Sequence, residues 1–268
     1  MLLRRITFSV LVIYAMLTAY TLASLFVGIP YHSFFTPLLT LLAFLFAVLH
    51  SLQVLGWKKA LLLLAFTFGV SLLFECVGVA TGWVYGPYHY TDKLGLKFLG
   101  LVPLLIPVAW FMMTYPSYAI ARYLIPPTKN VWLWRALVAA CGAVVMTAWD
   151  LAMDPMMVAG GHWVWDQPGA FFGIPLQNFW GWWLTIFVTF WLFLTLTRIK
   201  PEPVLAGDPF SRLAIWSYAI TGLSSLLADF EFGLDGPALA GIFAMLPWVV
   251  MAGMGNSLKD PLNSSLNR

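Results

Sequence analysis

Apolar residues run through this chain in long blocks separated by short polar breaks. Eight blocks can be marked off, at roughly 6–28, 34–56, 59–81, 98–121, 132–153, 179–198, 211–230 and 238–256. Each is about 20 residues or longer, the length an α-helix needs to cross a hydrocarbon core about 30 Å thick. The breaks are too short to form a separate soluble domain. The pattern predicts an all-α fold: a polytopic bundle of about eight transmembrane helices in one integral membrane domain, residues 1–268. Composition agrees, with 61% of residues hydrophobic and 9% charged, against about 25% charged in an ordinary soluble domain. The first block follows Arg4 and Arg5 and is long for a signal-peptide core, so it reads as a helix that stays.

Polar positions inside the blocks are more informative than their edges. Glu75 lies on a helical stripe with Thr67, Ser71, Gly78 and Gly82. Thr147, Asp150 and Asp154 form a similar stripe in the fifth block, and Ser217, Thr221, Ser225 and Asp229 form one in the seventh. Small and polar stripes face other helices, because lipid cannot satisfy them. Hydrogen bonding within the bundle is enough to explain the serines and threonines. An acid is different: burying its charge in hydrocarbon costs at least several kcal/mol, which makes an intramembrane carboxyl a functional candidate.

The basic residues set the orientation. With a cytoplasmic N-terminus, Arg4, Arg5, Lys58, Lys59, Arg122, Lys129, Arg135, Arg198, Lys200, Arg212, Lys259 and Arg268 all fall inside. Only Lys93 and Lys97 fall outside, a steep positive-inside bias that places both termini in the cytoplasm. Glu202, Asp208 and Asp260 are then cytoplasmic, whereas Glu75, Asp92, Asp150, Asp154, Asp166, Asp229, Glu231 and Asp235 lie toward the outer face. At about 1.5 Å per residue, Glu75 stands about 26 Å from Lys58 and Asp229 about 26 Å from Arg212. Asp150 and Asp154 stand about 22 and 28 Å from Arg135. Three helices thus bring carboxyls to a similar depth, just under the outer surface.

The outer connections over these acids, 81–100 and 154–183, are dense in Trp, Tyr, Phe, Gly and Pro. Both run from an acid near a helix end through Gly to Trp-Val-aromatic (Trp83-Val84-Tyr85; Trp163-Val164-Trp165) and then Pro. Both then pass a Gly-to-Pro step, Gly100 to Pro103 and Gly173 to Pro175, into the next helix. A degenerate repeat of two helix–loop–helix units and a chance match are both open at this point. An interfacial belt accounts for many of the aromatics, while the glycines and prolines suit loops that fold back as a lid.

Several carboxyls beside aromatic walls can divide the roles of acid and base, and aromatic faces stabilise a cation held between them. That combination suits protonation of an electron-rich alkene. No phosphate-binding or dinucleotide-binding glycine motif is present. The four histidines, His32, His50, His89 and His162, lack the clustered spacing of a diiron site, and Cys76 and Cys141 read as packing thiols. No cofactor and no metal are expected.

The stretch FGVSLLFECVGVATGWVYGPYHYTDKLG, from residue 68, and the stretch DLAMDPMMVAGGHWVWDQPGAFFGIPLQNFWGWW, from residue 150, resemble the membrane-bound carotenoid biosynthesis family of carotenoid 1,2-hydratases. The resemblance is concentrated in residues 65–185. It implies cofactor-independent addition of water across the terminal double bond of a ψ end group, on lycopene or γ-carotene in bacterial members and bacterioruberin precursors in archaeal ones. It further implies a multi-pass protein of the cell membrane, the bacterial inner membrane, with a carotenoid substrate, other carotenoid biosynthesis enzymes as partners, and no nucleic acid. The matching motifs put Glu75, Asp150 and Asp154 forward as catalytic, without choosing the proton donor among them. Trp83, Tyr85, His89, His162, Trp163, Trp165 and Asn178 are put forward as substrate-binding, with Asp229 added for its stripe and depth. A carotene cyclase, a prenyltransferase using the Asp150/Asp154 pair, and a lipid or pigment transporter with a proton relay are the competing readings.

Overall fold

The structure is a computed structural model describing residues 1–28, 34–202 and 208–254. Lys259, Asp260 and Arg268, His32 and the last residues of the eighth predicted span lie outside the described residues. The helices are α1 (Leu2–Val27), α2 (Phe35–Val54), α3 (Trp57–Thr81), α4 (Leu105–Leu124), α5 (Val131–Ala159), α6 (Leu176–Leu196), α7 (Leu213–Glu231) and α8 (Asp235–Met254). Among the described residues, all but α4 are long and apolar enough to cross a membrane.

The exception follows from position. α4 packs against α2, α3, α5, α7 and α8, and every residue from Trp110 to Tyr118 is buried. A helix surrounded by protein has no lipid face to keep apolar, so it can carry Thr114, Ser117 and two tyrosines at its centre. Elsewhere the polar side of each helix is its inner side. α3 buries Thr67, Ser71, Glu75 and Gly78, as its stripe predicts, and ends at Gly82, whose φ of 71° makes a left-handed cap. α7 buries Ser217, Thr221, Ser225 and Asp229. α1 buries Thr7, Tyr14, Thr18, Thr21 and Ser24, and the Tyr14 hydroxyl meets Thr221 Oγ1 at 2.8 Å.

The basic residues gather at one end of the bundle. Arg4 pairs with Asp208 at 3.1 Å, Arg122 donates to the Glu202 carbonyl at 3.2 Å, and Arg135 donates to the Ile199 carbonyl at 3.2 Å. At the other end Lys93 Nζ donates to the Gly160 carbonyl at 2.7 Å, closing the C-terminus of α5. Lys97 Nζ donates to the Tyr90 carbonyl at 2.8 Å and to Asp92 at 2.9 Å, which holds the exposed Asp92 carboxyl below its ordinary range.

Two spans depart from the hydropathy reading. The fourth begins at Leu105, because residues 97–103 form a hairpin, β2 (Lys97–Phe98) with β3 (Val102–Pro103). The fifth continues through Pro155 to Ala159, so Asp154 sits within helix and not in a loop. A further pair of strands, β1 (Tyr88–Tyr90) and β4 (Trp163–Trp165), joins the two outer connections antiparallel, with Tyr88 opposite Trp165 and Tyr90 opposite Trp163. The all-α expectation did not contain these ribbons.

The ribbons bear on both halves of the repeat match. Leu99 and Gly100 have φ of 50° and 71°, and Phe172 and Gly173 have φ of 50° and 90°. Two successive left-handed residues give the twist of a tight two-residue hairpin turn, so Phe98–Pro103 and Phe171–Pro175 bend the chain alike before α4 and α6. The other half of the match fails. Trp83-Val84-Tyr85 lies in the turn after α3, and the strand that pairs with Trp163-Val164-Trp165 is Tyr88-His89-Tyr90.

With the basic end in the cytoplasm, a cysteine at position 92 or 166 should label from outside. In intact cells lacking Cys76 and Cys141, an impermeant maleimide is expected to modify Asp92→Cys and Asp166→Cys. Labelling only after the cytoplasmic face is opened would invert the topology.

Candidate active site

Tyr85 anchors the first outer loop. Its ring is wedged between α3 and α6, where a Cβ at Gly78 would fall 2.7 Å from Tyr85 Cδ2 and a Cβ at Gly181 would fall 2.5 Å from Cδ1. Glycine at both positions is what admits the ring. The Tyr85 hydroxyl reaches Thr185 Oγ1 at 2.8 Å. From this anchor the chain enters β1, whose alternation sends Tyr88 and Tyr90 to one face and His89 to the other.

Both tyrosines end on Glu75. Its Oε2 accepts from the hydroxyl of Tyr88 and from that of Tyr90 at 2.8 Å, and its Oε1 accepts from Trp110 Nε1 at 3.0 Å. Burial, and secondly the adjacent Glu75 carboxylate, hold both phenols well above the usual tyrosine range, so they remain O–H donors.

The second unit repeats the plan with indoles. Asp154 Oδ1 accepts from Trp163 Nε1 at 2.7 Å and Trp165 Nε1 at 3.3 Å. Asn178 Nδ2, from the first turns of α6, donates to Asp154 Oδ2 at 2.8 Å and to Asp150 Oδ2 at 2.7 Å. The amide thus straddles two carboxyls one helical turn apart. Asp150 Oδ1 is buried with no hydrogen-bond partner.

Ring contacts connect the two units. Tyr88 lies 5.0 Å from Trp165 and Tyr90 lies 5.8 Å from Trp163, centroid to centroid. Trp182 stacks on Trp110 at 4.1 Å and meets Trp149 edge-on at 6.0 Å. Among the described residues, none of the three carboxyls pairs with a lysine or arginine. The result is a buried acid cluster walled by aromatic faces, which can supply or accept a proton and shelter a cation from bulk water.

The candidates from sequence divide accordingly. Glu75, Asp150, Asp154, Trp163, Trp165 and Asn178 come together, with Tyr85 one layer behind. Trp83 is 81% exposed and points away. His89 lies on the outer face of β1, its Nδ1 2.7 Å from Asp166. His162 is half-buried with Nδ1 3.3 Å from the Met157 carbonyl, and burial lowers its pKa. Asp229 is buried on α7 outside this hydrogen-bond network, neither oxygen having a partner. Tyr88, Tyr90 and Trp110 were missed. The period-two alternation of Tyr-His-Tyr signals the first two, and the spacing of Trp110 from Thr114 and Ser117 puts it on the polar side of α4.

A sequence profile for a family described as carotenoid biosynthesis protein matches residues 34–247. The bisanhydrobacterioruberin hydratase of Haloarcula japonica is 34% identical over 149 residues, covering 53% of this chain. The chain spans about half the length of that curated relative, 50% of it. No solved structure matches. With most of its length matched, from α2 to α8, and the acid-bearing helices inside that match, the chain belongs to the carotenoid biosynthesis protein family.

Proposed function

We propose that this protein is a carotenoid 1,2-hydratase of the cell membrane, acting on the ψ end group of lycopene, γ-carotene or a similar acyclic or monocyclic carotenoid. The observation that carries the reading is the Asp150–Asn178–Asp154 group, a buried carboxyl pair in an aromatic enclosure with one carboxyl oxygen unsatisfied. Its relative's name, a hydratase of a carotenoid, supports the same chemistry. A proton goes from a carboxyl to C2 of the terminal double bond, leaving a tertiary cation at C1. Indole and phenol faces stabilise that cation. Water adds at C1 and gives its extra proton to a carboxylate, so the net change is one water gained. Asp150 Oδ1 is the oxygen of the three carboxyls best placed to carry the transferred proton, because no hydrogen bond occupies it. Glu75 and Asp154 accept from several donors each, and they hold the enclosure together and can receive the proton that water releases.

The reaction needs no redox partner. Purified protein given lycopene in isotope-labelled water, without oxygen, nicotinamide or added metal, should yield a product heavier by one labelled water. Oxygen arriving from labelled O₂ would make the enzyme a hydroxylase. A product of unchanged mass would make it a cyclase, in which an internal double bond traps the cation.

A further inference from the structure

The outward side of α6 carries a ladder of aromatic rings. Trp180, Trp183, Phe187 and Trp191 stack in sequence, with centroids 5.0, 4.9 and 6.0 Å apart and interplanar angles of 16°, 14° and 12°. At about 1.5 Å per residue the ladder climbs about 16 Å along the helix. An interfacial belt holds aromatics at headgroup depth, which does not explain rings carried down into the middle of a span. The upper rungs open into a groove of about 550 Å³ between α5, α6 and α8, lined by residues including Thr147, Leu151, Phe179, Trp183, Phe243 and Trp248. Leu151 and Phe179, which line the groove, are the chain neighbours of Asp150 and Asn178, while the acids themselves are buried and do not line it.

The geometry points to the ladder and groove as the binding track of a conjugated polyene chain, laid lengthwise against α6 with its terminal double bond delivered to Asp150. An extended polyene is rigid, apolar and polarisable. Successive flat rings along one line match it better than they match mobile acyl chains, which gain nothing from a planar partner. A C40 chain is also longer than the hydrocarbon core is thick, so a track along the membrane normal brings its end close to the surface. This inference rests on the hydratase reading for the choice of polyene, and its test separates the two.

Lycopene bound in a chiral site acquires circular dichroism in its visible absorption band. Wild-type protein and Asp150→Asn in lipid nanodiscs are expected to induce that band. Trp183→Leu/Phe187→Leu keeps the surface apolar but removes the flat rings, and should bind lycopene about tenfold more weakly. Trp216, 61% exposed on α7, supplies the control, and Trp216→Leu should match wild type. Unchanged lycopene affinity in the ladder variant overturns the inference, as does an equal loss in Trp216→Leu, no induced band in wild type, or a change only in oligomeric size. If wild type gives a ladder-dependent band yet never hydrates lycopene, the track stands and the hydratase reading falls.

Discussion

Asp150→Asn is expected to lower formation of the hydrated product by about 10²–10⁴-fold, the usual contribution of an acid–base group, in a protein that still folds and inserts. The geometry keeps this exchange conservative in shape and in the bond to Asn178. Asp150 Oδ2 accepts from Asn178 and Oδ1 accepts from nothing. An asparagine can turn its carbonyl oxygen toward Asn178 and place its amide where Oδ1 stood. The neighbour keeps its bond and the volume is unchanged, while the amide N–H groups enter a buried place with no acceptor, at about 1–3 kcal/mol of stability. The measurement is product per unit of folded protein, in cells making lycopene, beside a thermal unfolding curve in detergent. Near wild-type turnover in Asp150→Asn would remove it as proton carrier and pass the role to Asp154.

At Glu75, Glu75→Leu should cost far more stability than Glu75→Gln, while both lose activity by about 10²-fold or more. Glu75 takes three donors, from Tyr88, Tyr90 and Trp110. Leucine leaves all three buried without an acceptor, at about 1–3 kcal/mol each. Glutamine can keep its oxygen on Trp110 and donate through its amide to the phenol oxygens, which accept as well as donate. The unfolding midpoint should fall sharply for leucine and slightly for glutamine. A glutamine variant that stays fully active would reduce Glu75 to a clamp for β1.

What sequence conveys about this protein follows from the solvent it folds in. Lipid demands apolar outer faces, so seven helices stand out by hydropathy, and polar stripes such as Thr67–Ser71–Glu75 mark inner faces. α4 falls in the fourth block, yet it starts later than that block and is the least apolar of the eight helices described, because a helix ringed by protein is released from that rule. The three acids were legible because a carboxyl in a span is costly anywhere. Their partners were legible only in part. Trp163, Trp165 and Asn178 lie in the motifs that carry the family resemblance, and so do Tyr88 and Tyr90, but choosing these two over Trp83 needs the position of β1. That position depends on Tyr85 fitting between Gly78 and Gly181, a contact between distant helices that no local pattern records. Asp154 falls inside α5 because the helix passes through Pro155, and proline ordinarily argues for an end.

The donors to Glu75 come from residues 88, 90 and 110, and those to Asp150 and Asp154 come from residues 163, 165 and 178. Among the described residues, no hydrogen bond to these carboxyls crosses from one helix–loop–helix unit to the other. This bears on biogenesis. Each acid is synthesised ahead of its partners, and each pair of helices arrives in the bilayer carrying every donor its own carboxyl will use. A hairpin can therefore shelter its acid before the other hairpin has been made. Joining the halves then adds helix packing, ring contacts, a short strand pairing and polar contacts such as Tyr85 to Thr185 and Lys93 to the Gly160 carbonyl, none of which involves the three carboxyls.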